Sequence, residues 1–213
     1  MRNSAARRDT LEFMRTAYIG MGGNLASCAG TPEATLAAAA LRLESLGRVI
    51  CRSSLYSTEP VGFAAQPRFV NAVAGLETEF EPKELLRGLL DIEKEFGRDR
   101  AAGIPNGPRT LDLDLLLWGD LQLSEPGLVI PHPRLAERAF VLIPLNEIAP
   151  QIVDPRHVKT LAQLLYTLLK NGEGDAHAVV RVQDEIWRAG ACRNVVDSAA
   201  PLRTDHGDPH GRR

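Results

Sequence analysis

Two aspartates separated by a single leucine carry the clearest chemical signal in the sequence. Asp112 and Asp114 lie in residues 110–118, a leucine-rich run that predicts a strand. Because side chains alternate between the faces of a strand, both carboxylates would project from one face, with their Cα atoms roughly 7 Å apart. Carboxylates at that distance repel each other unless a cation lies between them, and Mg²⁺ prefers such oxygen ligands. The pattern predicts a magnesium site; the alternative for so short a motif is a solvated strand face.

An arginine-rich loop precedes this strand. Arg98 and Arg100 lie in the loop, and Arg109 lies where the strand begins. Guanidinium groups beside a carboxylate pair suit a polyphosphate–Mg²⁺ complex, because the metal neutralises some phosphate oxygens and arginines bind the others bidentately. Glycines and prolines in the same loop suit a segment that moves and then closes over a ligand. The alternative is a solvated basic loop.

A second pair of side chains suits a flat heterocycle. Phe69 and Asn71 share one face of the alternating run at residues 68–79, which predicts another strand. An aromatic ring can stack on the heterocycle, while the amide can hydrogen-bond to its edge. The alternative is that Phe69 is an ordinary core residue.

The elements that position these residues follow a recognisable order. Strand, helix, strand, strand, helix and strand are predicted over residues 17–21, 32–46, 49–57, 68–79, 82–97 and 110–118. This order is the βαββαβ, ferredoxin-like pattern of α+β proteins. Its antiparallel sheet carries both helices on one face, which leaves the other face for a ligand. Additional C-terminal helices are predicted around residues 135–148 and 160–170.

Composition sets the outer limits. With 213 residues, 44% of them hydrophobic and a net charge of −2, the chain suits one globular domain without bulk attraction to nucleic acid or membrane. No apolar run reaches the roughly 18–20 residues of a membrane span, and the start lacks a secretory apolar core. We expect a cytoplasmic monomer. Its parts would be a flexible arm over residues 1–13, a folded domain over 14–172 and a partly disordered extension over 173–213.

Several sequence blocks together resemble the 6-hydroxymethyl-7,8-dihydropterin pyrophosphokinases of folate biosynthesis. The most specific is GPRTLDLD at residues 107–114, followed by IPHPR at residues 130–134. The others are YIGMGGNL at 18–25, YSTEPVG at 56–62, FVNA at 69–72 and RAFVL at 138–142. The resemblance implies an ATP-dependent diphosphokinase that transfers pyrophosphate from ATP to the hydroxymethyl oxygen of the dihydropterin and releases AMP.

The resemblance also implies roles for individual residues. Asp112 and Asp114 would hold two Mg²⁺ ions, and together with Arg98 and Arg109 they would form the catalytic set. The implied ATP-binding residues are Glu93, Arg98, Arg100, Arg109, Leu115, His132 and Arg138. The implied pterin-binding residues are Thr58, Val61, Phe69, Asn71, Asp112 and Phe140, with the heterocycle lying between the two aromatic rings.

Two other functions compete with this interpretation. A nucleotidyltransferase of the polymerase-β type also combines a glycine motif with an Asp-x-Asp pair. There the two motifs lie close in sequence, whereas Gly22 and Asp112 are separated by most of a domain. A ferredoxin-like RNA-binding module is disfavoured by the net charge and by the lack of an aromatic-rich strand of the RNA-binding type.

Overall fold

The structure is a computed structural model that describes residues 14–63, 65–101, 104–172, 178–188 and 190. The predicted arm over residues 1–13 lies outside the described residues. The same holds for residues 173–177, 189 and 191–213 of the predicted extension.

One antiparallel sheet organises the described part of the chain. Its strands are β1 (Arg15–Gly23), β2 (Arg48–Arg52), β3 (Leu55–Thr58), β4 (Phe69–Thr78), β5 (Asp112–Trp118) and β10 (Val180–Val182). Their order is β10-β3-β4-β1-β5, and β2 also pairs with β4. The single strand predicted over residues 49–57 is divided into β2 and β3, because Ser53 and Ser54 interrupt it with side-chain hydrogen bonds.

Two helices cover one face of the sheet. α1 (Pro32–Leu43) begins where the Thr31 side chain accepts a hydrogen bond from the backbone of Ala34. α2 (Pro82–Glu95) begins with a capping box formed by Glu81 and Glu84. Their leucines pack with alternate residues of the central strands into one apolar core, which includes Ile19, Ala72, Leu113 and Leu115.

The opposite face is covered in part. A 3₁₀ turn (Leu135–Glu137), α3 (Ala139–Ile148) and α4 (Leu161–Lys170) pack against Tyr18, Val73 and Leu116 in a second apolar core. The expectation that this face is free for a ligand is therefore wrong over the area of this second core. The inner sides of α3 and α4 are apolar, and packing against the sheet removes these apolar side chains from water.

The C-terminal part of the described chain adds an edge strand to the sheet next to β3. β10 pairs with β3, and the Trp187 side chain is buried while its Nε1 donates a hydrogen bond to the backbone oxygen of Ser53 at 2.8 Å. The Arg52 guanidinium lies 4.7 Å from the centre of the Trp187 ring. Part of the predicted extension thus packs on the folded domain.

Short hairpins complete the architecture: β6 (Leu123–Glu125) with β7 (Leu128–Ile130), and β8 (Val153–Asp154) with β9 (Lys159–Thr160). Within the described ranges, none of the helices is long and apolar enough to cross a membrane. The expected combination of helices with an antiparallel sheet is confirmed.

Candidate active site

The acid pair projects from the face of β5 that carries the second core. The side chains of Leu111, Leu113 and Leu115 are buried in the first core, on the opposite side. Asp112 and Asp114 therefore share a face, as the alternation predicts. They border a cavity whose other wall includes Phe140 and Val141 in the first turn of α3.

Glycines of β1 form the floor between the predicted pterin side and the acid pair. Gly22 is paired with Asn71 of β4 on one side and with Asp112 of β5 on the other. A Cβ atom on Gly22 would lie 2.7 Å from the Asn71 Oδ1 atom, closer than real Cβ contacts. Only glycine at this position leaves the Asn71 amide where it is.

Guanidinium groups surround Asp112. Its carboxylate oxygens lie 3.2 Å from Arg109 Nε, 3.6 Å from Arg100 Nη2 and 3.9 Å from Arg98 Nη2. The Arg98 Nε atom is buried and has no hydrogen-bond partner among the described residues. Because buried donors are almost always satisfied, this nitrogen is suited to an anionic ligand.

Asp114, the second acid of the pair, is partly buried. Burial, and then the nearby Asp112 charge, raise the pKa of Asp114 to about 6. A carboxylate whose pKa is raised in this way gains from a bound cation, which favours the charged form. The electrostatics of the pair are those of a cation site.

Glu93 forms hydrogen bonds with two parts of the site. This buried carboxylate of α2 accepts two hydrogen bonds from the Arg100 guanidinium, each at 2.7 Å. It also accepts the backbone N–H of Leu113, between the two acids, at 2.8 Å. Glu93 thus fixes both Arg100 and the segment of β5 that carries the acid pair.

His132 lies beside the same strand. Its backbone N–H donates to the backbone oxygen of Leu116 at 2.8 Å, just beyond Asp114 along β5. Burial, followed by the charges of Arg138 and Arg134, lowers the pKa of His132 to about 4. The imidazole is therefore neutral near pH 7.

A cavity of about 130 Å³ lies beside the acid pair. It brings together the predicted pterin-binding residues Thr58, Val61, Phe69, Asn71 and Phe140 with Arg109 and Arg138. The buried Asn71 amide donates from Nδ2 to the Thr58 hydroxyl at 2.8 Å, which fixes its orientation. The cavity wall thus offers aromatic faces and an oriented amide.

Arginines lie over both aromatic rings of this cavity. The Arg109 Cζ atom is 4.9 Å from the centre of the Phe69 ring, and the Arg138 Cζ atom is 5.4 Å from that of Phe140. These are distances of cation–π contact. Each of the two rings that sequence analysis assigns to the heterocycle therefore has a guanidinium group over one of its faces.

Five of the predicted site residues are not among those that line these two cavities: Glu93, Arg98, Arg100, Leu115 and His132. Leu115 is buried in the first core, because it alternates with Asp114 along β5. Its contact with ATP stays a prediction. Conversely, sequence analysis missed cavity-lining residues, namely Glu59, Asn106, Arg134 and Glu137. Glu59 and Arg134 lie within sequence blocks that carry the family resemblance, which is the signal that could have found them. Gly20 and Gly22, which line the cavity beside the acid pair, could have been noticed as glycines at alternate positions of a strand.

Comparison with known proteins identifies the family. Residues 18–150, more than half of the chain, match the family model described as 7,8-dihydro-6-hydroxymethylpterin-pyrophosphokinase. The chain belongs to this pyrophosphokinase family. It is 44% identical over 149 residues to the 2-amino-4-hydroxy-6-hydroxymethyldihydropteridine pyrophosphokinase of Synechocystis sp., covering 70% of this chain and 74% of that protein. Identity to the enzyme of the same name from Pseudomonas aeruginosa is 43%, over 70% and 91% of the two chains.

Solved structures support the fold of the pyrophosphokinase family. The Plasmodium falciparum HPPK-DHPS structure with pterin and p-hydroxybenzoate aligns with a TM-score of 0.62 at 15% identity. The alignment covers 80% of this chain and 45% of the Plasmodium chain, so this chain spans less than half of that protein. Neither rival function, the nucleotidyltransferase or the RNA-binding module, is supported by these relatives.

Proposed function

We propose that this chain transfers the pyrophosphoryl group of ATP to the hydroxymethyl oxygen of 6-hydroxymethyl-7,8-dihydropterin in tetrahydrofolate biosynthesis. The observation that carries the proposal is the row formed by Asn71, Gly22 and Asp112 on three adjacent strands. With strands about 4.8 Å apart, the row spans roughly 10 Å between its outer Cα atoms. A two-ring heterocycle lying across β1 could contact the Asn71 amide at one end and place its substituent near the acid pair at the other.

The reaction exchanges one phosphorus–oxygen bond for another. The hydroxymethyl oxygen attacks the β-phosphorus, the bond from that phosphorus to the α–β bridging oxygen breaks, and AMP leaves with that oxygen. The hydroxyl proton is released to solvent. Such transfers depend on alignment and charge stabilisation more than on a strong base, and arginines together with two acids that would hold Mg²⁺ can supply both.

Two Mg²⁺ ions on Asp112 and Asp114 are part of the proposal. Among the described residues, no group of three or more histidine, cysteine or acidic side chains is placed to hold a metal ion, and the proposed protein ligands are the two aspartates. That suits Mg²⁺, which binds one or two carboxylates and completes its shell with water and substrate phosphates. When bound, the ions would neutralise phosphate charge and orient the oxygens that react.

The arginines would stabilise the transferring group. Arg98 and Arg109 flank Asp112, and the Nε donor of Arg98, which no described residue accepts, supports a phosphate contact. We assign ATP binding to these two residues and to Glu93, Arg100, Leu115, His132 and Arg138. Of these, Glu93 would act by holding Arg100, given their paired hydrogen bonds.

The cavity beside the acids would hold the pterin. Asn71 would bind the heterocycle's polar edge, while Phe69 and Phe140 would enclose its faces after Arg109 and Arg138 leave the rings. Thr58, Val61 and Asp112 complete the proposed pterin-binding set. Stacking combined with a few placed hydrogen bonds is the usual way a cavity selects a flat ligand.

The remaining assignments concern the chain as a whole. The strand order supports a ferredoxin-like sheet, with the pyrophosphokinase domain over residues 14–172, the arm over 1–13 and the extension over 173–213. We propose a cytoplasmic monomer that has ATP and the pterin as partners and binds neither nucleic acid nor membrane.

An assay of AMP release tests the function directly. The purified full chain should convert ATP to AMP only when both the dihydropterin and Mg²⁺ are present. A reaction that proceeds without the pterin, or that EDTA leaves unchanged, would contradict the proposal. Pterin lacking the hydroxymethyl group serves as the matched control, because it fills the cavity without offering the attacking oxygen.

A further inference from the structure

A small hairpin outside the family match contacts the loop that carries His132. The turn between β8 and β9 is fixed by buried Asp154, which accepts the backbone N–H of Arg156 at 2.8 Å and contacts His157 Nδ1 at 2.6 Å. The Gln122 side chain donates to the backbone oxygen of Pro155 at 2.9 Å. These hydrogen bonds fix the conformation of the turn that carries Arg156.

The Arg156 guanidinium bridges the residues on either side of His132. Its Nη1 atom donates to the backbone oxygen of Pro133 at 3.2 Å, and its Nη2 atom donates to the backbone oxygen of Pro131. One planar group that binds both carbonyls restrains the backbone of the residue between them. The fork geometry of arginine suits this role better than the single charge of lysine.

The His132 side chain is itself oriented by its loop. Its Nδ1 atom accepts the backbone N–H of Arg134 at 3.2 Å, which places the ring proton on Nε2. Nε2 is thereby the nitrogen that can donate to a ligand. The orientation depends on the loop conformation, because the accepting contact is made to the backbone two residues later.

We propose that Arg156 is a positioning residue that holds His132 with its Nε2–H available to donate to ATP. The proposal rests on the proposed function for the identity of the ligand, ATP. Arg156 itself is exposed, so its loss should leave folding nearly unchanged. Its role lies in the two carbonyl contacts and in the loop they fix.

The test compares Arg156→Gln and Arg156→Lys with Lys159→Gln, which removes an exposed cation from the same hairpin. The imidazole nitrogens of His132 are observed by ¹⁵N NMR in the ligand-free full chain, with His132→Gln used to assign them. We expect one tautomer in the unsubstituted protein and in Lys159→Gln, and a mixture in Arg156→Gln.

Kinetics provide the second measurement. Arg156→Gln should raise the KM for ATP about 10-fold, as expected for losing hydrogen bonds that fix a ligand group, with kcat and the pterin KM within about twofold. Arg156→Lys should lie in between. In a His132→Gln background, Arg156→Gln should have no further effect on the KM for ATP.

Two results would overturn the role of Arg156. One is an unchanged pair of nitrogen signals in Arg156→Gln. The other is an equal rise in the KM for ATP with and without His132. A chain that releases no AMP at all would reject the proposed function, and the nitrogen signals would still decide whether Arg156 orients the imidazole.

Discussion

The two halves of the site differ in how far their polar and charged groups already have partners within the protein. The phosphate half consists of Asp114, Arg98, Arg100 and Arg109, together with Asp112, which also belongs to the proposed pterin-binding set. The pterin half consists of Thr58, Phe69, Asn71 and Phe140. In the pterin half, the amide already donates to a hydroxyl. In the phosphate half, the buried Arg98 Nε atom has no hydrogen-bond partner within the described part of the chain, and burial raises the pKa of Asp114 to about 6.

This difference separates a preformed recognition surface from one that its ligands complete. A satisfied amide keeps one orientation before the substrate arrives, so it favours one heterocycle edge over others. Uncompensated charges cost stability in the free protein and are compensated when opposite charges bind. Substitutions in the phosphate half should therefore affect turnover, and those in the pterin half should affect selection.

The largest effect is expected for Asp114→Asn. The amide keeps the shape but is a weaker cation ligand, so kcat should fall by at least about 1000-fold, the scale of losing a central electrostatic contact. The same variant should unfold at higher urea concentration near pH 7, because the buried like charge beside Asp112 is gone. AMP release and urea titration measure the two effects.

Asp120→Asn is the matched control for this variant, because Asp120 is an exposed acid just beyond the same strand. It should change neither quantity. Activity of Asp114→Asn within tenfold of the unsubstituted protein would place the metal site elsewhere.

Asn71→Ala should separate the two substrates. Loss of the amide leaves the pterin edge unpaired in a buried cavity, so the pterin KM should rise roughly 100-fold, while the KM for ATP stays within about threefold. Thr58→Val, which removes only the hydroxyl that orients the amide, should raise the pterin KM about 10-fold. Equal increases for both substrates would reject Asn71 as a pterin-binding residue.

Gly22→Ala tests whether the floor between the halves must be glycine. Its Cβ would lie 2.7 Å from Asn71 Oδ1, so the amide must turn, and the pterin KM should rise about 10-fold. Gly20→Ala is the comparison, because its Cβ would meet the flexible end of Leu116 at 3.3 Å. A pterin KM that rises equally in both variants would show that the Asn71 contact is not what matters.

The sequence predicts the parts of the site that follow from alternation and local capping. The shared face of Asp112 and Asp114 needs only a strand, and the helix starting at Pro32 needs only its preceding threonine. The buried contact of Glu93 with the β5 backbone was not predictable, because it depends on how α2 packs on the sheet. For the same reason, the bridge from Arg156 to the His132 loop has no local signal.

The smallest expected effect is a pH dependence of stability in which Asp114 and His132 act in opposite directions. Between about pH 3.8 and 6 the folded protein holds the Asp114 proton more tightly than the unfolded chain does, so this acid lowers stability as pH rises. Between about pH 4 and 6.5 the unfolded chain binds the His132 proton more tightly, so this group raises stability as pH rises. In metal-free protein the two slopes should partly cancel.

Urea titrations from pH 4 to 6.5 in EDTA can separate these contributions. Asp114→Asn should leave the His132 contribution, and its stability should increase with pH more steeply than that of the unsubstituted protein. His132→Gln should leave the Asp114 contribution and shift the slope in the negative direction. If both variants shifted the slope in the same direction, the opposed pKa changes of the two groups would be wrong. The assignment of His132 as a neutral imidazole and of Asp114 as an acid that a bound cation stabilises would then be wrong as well.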